Sequence, residues 1–172
     1  MALWVNEATS QHIEEWIEQL KGEFHATIRN TLQIEDMEYQ IETAPVRIKD
    51  GYPEGATKAS GIPNYDTNRI DRIVFFTGSI SQSINSLFSK DTNSDEFYEL
   101  AELFVKFVWI HELVHIRQLK DGMTFEEYFS TAYEDSQWEK EANQTAMELL
   151  QRFGGAREKV MKIFLERFSP EK

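Results

Sequence analysis

The chain has 172 residues, enough for one domain with a hydrophobic core, and its 41% hydrophobic and 28% charged residues are globular rather than disordered composition. With 30 acidic against 18 basic residues the net charge is -12, which argues against nucleic acid or an anionic membrane as the main partner. There is no cysteine, so disulfides and thiolate metal sites are excluded and any metal must be held by His, Asp or Glu.

The first residues lack the basic charges and apolar run of a signal peptide, and no charge-free stretch approaches transmembrane length. The chain as coded therefore reads as cytoplasmic, although export by a specialised secretion system would leave no such mark. Residues 10–32 read as one amphipathic helix, with Ile13, Trp16, Ile17, Leu20, Phe24 and Ile28 at helical spacing and Ser10 as the N-cap. Residues 39–48 are short and β-prone, with Pro45 suggesting an edge or an irregularity. Residues 50–68 hold three of the eight glycines and two of the four prolines. They read as a long surface loop, and one able to cover a cleft as an inhibitory flap.

Residues 69–77, with Ile70, Ile73, Val74, Phe75 and Phe76, form the best strand, closed by Gly78. Residues 79–89 read as a short helix or turn. A long helix follows over residues 95–120, apolar on nearly every side and stopped at Asp121-Gly122, so it is expected at the centre of the core. A short helix over 124–133, a clear helix over 136–153 ending at Gly154-Gly155, and a last helix over 156–168 complete the chain. No repeat, low-complexity tract or linker divides it. The expectation is one α+β domain over residues 1–172, mostly helical, with a small sheet next to the long helix.

That helix carries His111-Glu112-Leu113-Val114-His115. Two imidazoles four residues apart lie about 40° apart around a helix axis, so both reach one metal ion. Glu112 lies on the flank of the pair, where a general base would act on water. Both histidines line up with Phe104, Phe107 and Val108 and so face the interior. The plainer reading is two core histidines beside a surface Glu; four histidines in the whole chain make that coincidence improbable.

Zinc requires a third protein ligand. Gln118 and Asp121 stand where longer signatures place a Gly and a third His, so a distant carboxylate is expected. Glu139 lines up with Ala142, Ala146, Leu149 and Phe153 on a buried stripe; Glu141 lines up with Gln144, Thr145, Glu148 and Arg152 on a solvated face. Glu139 is therefore the candidate ligand, since a buried carboxylate must be paired or ligated. A rival account is a capping box over Ser136-Gln137-Trp138-Glu139. Ala142 and Ala146 favour the ligand, because small residues allow the two helices to approach closely.

The histidine motif followed by Glu139, Glu141, Ala142 and Asn143 resembles the gluzincins, the clan of thermolysin-like metallopeptidases. The run Ile110-His111-Glu112-Leu113-Val114-His115-Ile116-Arg117-Gln118 is similar to minimal bacterial HELxHxxQ families, including metallopeptidase-like domains associated with phage-like contractile injection systems. The resemblance covers roughly residues 69–153. It implies a zincin-like fold, Zn2+ held by His111, His115 and Glu139, and Glu112 as general base. Asn143, standing where the clan has Asp, would orient a ligand His without adding charge. Gln118 is expected to pack or to support a ligand rather than to react.

The first functional expectation is peptide hydrolysis, with a peptide or protein substrate lying against the 69–77 strand by edge pairing and Glu112 handling the proton. Tyr133, Tyr128 and His25 are candidate oxyanion donors, with Tyr133 placed first. The alternative is a catalytically weak or inactive interaction or regulatory protein in which the metal is structural. The sequence carries no marker of oligomeric state.

Overall fold

A computed structural model describes residues 6–130, 132 and 136–170 of the chain. Among them the elements alternate little: helices dominate, and two small sheets occupy the middle of the sequence. The α+β class expected from the sequence is what the chain adopts.

The expected first helix is two helices, α1 (Ser10–Leu20) and α2 (Glu23–Leu32). Gly22 breaks it, holding φ -86° and ψ -119° at the start of α2. Thr9 rather than Ser10 caps α1: its side chain accepts from the His12 backbone N–H, and the Thr9 N–H donates to His12 Nδ1. The apolar spacing still does its work, with Ile13, Ile17, Leu20 and Ile28 all buried.

Residues 40–76 hold five strands. They are β1 (Gln40–Ala44), β2 (Arg47–Lys49), β3 (Tyr52–Glu54), β4 (Ala59–Asn64) and β5 (Arg69–Phe76). The segment expected to be a loop thus contains two of them. β2 and β3 form a hairpin across Asp50-Gly51, whose φ values of 54° and 83° are those of a type I′ turn. β4 runs antiparallel to β5 and carries a register shift between Ile62 and Pro63, where the missing proline N–H falls out of the ladder. Much of this segment is thus built into sheets rather than forming one irregular loop.

β5 is the central strand, with β1 parallel on one side and β4 antiparallel on the other. Both its edges are paired, so the expected edge pairing of a peptide with residues 69–77 is sterically closed. The open edges of this sheet belong to β1 and β4.

α3 (Thr77–Phe88) follows directly and leads to α4 (Ser94–Lys120), the long helix. A capping box starts α4: Asn93 Oδ1 accepts from the Glu96 N–H at 2.8 Å and Glu96 Oε1 accepts from the Asn93 N–H at 3.0 Å. Gly122, at φ 114°, ends it in a conformation that side chains resist. α4 is buried around its whole circumference from Phe107 to Ile116. Phe75 of β5 stacks on Trp109 of α4 at 5.1 Å, which locks the sheet to the helix. α5 (Phe125–Phe129), α6 (Gln137–Phe153) and α7 (Glu158–Arg167) close the fold over α4. No helix among the described residues is long and apolar enough to cross a membrane.

α6 packs extensively along α4, and Ala142 and Ala146 are fully buried between them. Beyond its end, Gly154 sits so close to α4 that a Cβ there would lie 2.9 Å from Leu103 Cδ2 and nearer still to the Leu150 carbonyl oxygen. Only glycine fits this approach.

Candidate metal centre

Two helices bring the ligating atoms together. α4 supplies His111 and His115 one turn apart, and α6 supplies Glu139 from its first turn. His111 Nε2 lies 3.1 Å from His115 Nε2 and 3.0 Å from Glu139 Oε2; His115 Nε2 lies 3.2 Å from Glu139 Oε1. Atoms bound to one zinc at 2.0–2.1 Å in tetrahedral geometry stand about 3.3 Å apart. The three side chains therefore fit one small cation.

Hydrogen bonding alone satisfies this arrangement poorly. Glu139 Oε2 is buried and, although close to His111, has no hydrogen bond of acceptable geometry among the described residues. His111 Nδ1 is likewise buried without a partner. Glu139 is 3% exposed. A carboxylate so desolvated needs positive charge beside it. Donors that converge, with orphaned buried atoms among them, match the chemistry of a cation site.

The electrostatics agree with this geometry. Burial alone would raise the Glu139 carboxyl, but the close approach of the His111 and His115 ring nitrogens outweighs it and holds the group well below the usual carboxylate range. Burial likewise opposes protonation of His115, yet its bond to Glu139, the charges of Glu112 and Glu139 and its bond to Gln118 push it up to about 9. Glu112, 8% exposed, is shifted up by burial against the pull of both histidines. It takes no hydrogen bond from a described residue, so its carboxyl is held beside the cluster without being consumed by it.

The rival role of Glu139 as half of a capping box is only partly realised. Ser136 Oγ accepts from the Glu139 backbone N–H at 3.3 Å, but the Glu139 side chain turns to the histidines. Glu141 stays on the outer face, 3.5 Å from Arg117. The register argument that separated these two carboxylates matches their placement.

Around the ligands the structure differs from expectation in several places. Asn143 is buried one turn beyond Glu139 but makes no hydrogen bond to either imidazole. Support for His115 comes from Gln118, whose Oε1 lies 2.8 Å from His115 Nδ1. Tyr128 of α5 donates its hydroxyl to Glu139 Oε1 and sets its ring edge-on to His115 at 5.4 Å. It buttresses a ligand directly. His25 takes no part in the cluster: its Nε2 pairs with the Tyr39 hydroxyl at 2.8 Å and its ring meets Trp109 edge-on. Tyr133 lies outside the described residues. Of these, Gln118 was within reach of the sequence, since three residues along a helix place it on the face of His115. Tyr128, expected only as a candidate oxyanion donor, was not legible as a partner of Glu139, because it lies on a separate helix whose register says nothing of α6.

The cluster of His111, His115 and Glu139 is a candidate metal site by its own geometry. Comparison of the chain with known protein families, with curated proteins and with solved structures finds no match.

Proposed function

We propose that the chain is a zinc-dependent metallopeptidase. The observation that supports this reading is the convergence of His111, His115 and Glu139 with Glu112 buried on the same turn of α4. Zinc suits two imidazoles and a carboxylate, and when bound it supplies Lewis acidity toward a carbonyl oxygen and toward water. His111, His115 and Glu139 hold the ion. Glu112 has a raised proton affinity, which suits a group that accepts a proton and then passes it to a leaving amine. The free edge of β4 offers backbone groups for an extended peptide, replacing the paired β5 in that role.

A second reading, a structural metal in an interaction or regulatory protein, draws on one observation. All four polar residues of the centre are nearly closed to solvent, from 3% for Glu139 to 9% for His111. One experiment separates the two. Zinc content is measured for the wild type, His115→Ala and Glu139→Ala, and cleavage of an unfolded protein substrate for the wild type and Glu112→Gln. Peptidase function requires stoichiometric zinc in the wild type alone of the first three, and at least a 100-fold slower cleavage by Glu112→Gln with zinc retained. Zinc without any cleavage supports the structural role. A wild type free of zinc removes both.

A further inference from the structure

Gln118 does more than fill space beside His115. Its Nε2 lies 2.9 Å from the Trp138 carbonyl oxygen and 3.1 Å from Glu141 Oε1. Both are pure acceptors, so the amide must present its NH2 group to them. The opposite flip would set a carbonyl oxygen against a carbonyl and a carboxylate. With the NH2 so placed, Oε1 is the atom that faces His115 Nδ1 at 2.8 Å. An amide oxygen only accepts, so Nδ1 must carry a proton and donate it. The neutral ring then has its lone pair on Nε2, the nitrogen that converges with His111 and Glu139.

We infer that Gln118 is a positioning residue that fixes the tautomer of His115, and that Glu141 in turn fixes the orientation of Gln118. The relay runs from a half-exposed carboxylate on α6, through an amide on α4, to a ligand nitrogen. It also ties α4 to the first turn of α6, the turn that carries Glu139, through the Trp138 carbonyl. His111 has no counterpart, since its Nδ1 is buried without a partner among the described residues. The two imidazoles are thus unequal: Nδ1 of His115 has a fixed acceptor, so its neutral form presents Nε2 to an ion, while Nδ1 of His111 has none among the described residues. The inference rests on the metal reading above but not on catalysis.

Zinc affinity, read by competition with a chromogenic chelator, tests it. Gln118→Leu removes the acceptor and is expected to weaken zinc binding 10- to 100-fold while the circular dichroism spectrum stays native. Gln118→Glu keeps an oxygen for His115 but sets a carboxylate against Glu141 and the Trp138 carbonyl, so affinity falls again. Adding Glu141→Gln to it returns a donor to the pair and regains at least half of the loss on a logarithmic scale. Nitrogen-resolved NMR of the zinc-loaded wild type should show a slowly exchanging proton on His115 Nδ1, replaced by fast exchange in Gln118→Leu. Zinc affinity unchanged in Gln118→Leu, a double variant no better than Gln118→Glu, or zinc on His115 Nδ1 would each overturn the inference and leave the metal site standing. A wild type that binds no zinc overturns the metal reading, and this one with it.

Discussion

The Tyr128 hydroxyl donates to Glu139 Oε1, the same oxygen that stands 3.2 Å from His115 Nε2. A five-residue helix is thereby tied to the third candidate ligand. Partners that orient a ligand typically matter 10- to 100-fold in metal affinity. Tyr128→Phe keeps the ring against His115 and removes only the hydroxyl. It should weaken zinc binding by about 10-fold with little change in folding. Equal zinc affinity in the variant, measured by chelator competition, would show that Glu139 is oriented without it.

Metal should also stabilise the fold, because the ligands come from two helices that the ion would cross-link. An ion at 100 times its dissociation constant adds about 2.7 kcal/mol to the free energy of unfolding. Thermal scans should show a higher Tm on adding zinc, reversal by chelator, and a nearly flat response in Glu139→Ala. A Tm that ignores zinc in the wild type counts against the site.

Trp109 tests the junction of sheet and helix. It is 1% exposed, stacks on Phe75, and its Nε1 has no acceptor among the described residues. Trp109→Ala should cost about 3–5 kcal/mol by urea unfolding, through lost contacts and a cavity. Trp109→Phe should cost under about 2 kcal/mol, since it also removes a buried donor left unpaired. Equal losses for the two would mean that the indole N–H is satisfied in solution.

His25 predicts an acid limb of stability. Burial first, and the nearby Arg29 charge second, lower it from 6.5 to about 4 in the folded chain. Below pH 6.5 the unfolded chain takes up this proton before the folded one does. Stability is therefore lost as pH falls from about 6.5 to about 4, and the effect is complete below that. The ring is only half-buried, so the loss is discounted to roughly 1 kcal/mol. Comparing urea midpoints at pH 7 and pH 4.5, His25→Gln should lose less on acidification than the wild type. Equal losses would place the acid sensitivity elsewhere.

The helical part of the fold was legible because it follows a single period. The buried stripe of α6 separated Glu139 from Glu141, and the all-round apolar pattern of α4 marked the central helix. Residues 50–68 were misread for a physical reason. β2 and β3 have three residues each, too short for an alternation to show, and β4 carries Gly61 and Pro63, both usual strand breakers. Gly61 has a use that no local pattern records, since the Ile70 side chain lies across it. Asp50-Gly51 was the readable clue to the hairpin. Gly22 was likewise the readable break between α1 and α2. The ligands of the centre were visible because each obeys helical register. Of their supports, Gln118 was legible in the same register, three residues beyond His115, whereas the bond from Tyr128 to Glu139 depends on side-chain directions that only the packed helices define.

α6 is fastened at both ends. Near its start Trp138 accepts from Gln118, and just past its end the Gly154 carbonyl accepts from Lys106 Nζ at 2.8 Å. Between the two fixings lies a rod of 17 residues, about 25 Å long. Such a rod behaves as a lever with its working tip at Glu139. A methyl group added at Gly154 must push against Leu103 and the Leu150 carbonyl, and a small tilt there is carried along the whole rod. Gly154→Ala, though remote from every ligand, should therefore register as a change in metal affinity as well as in stability.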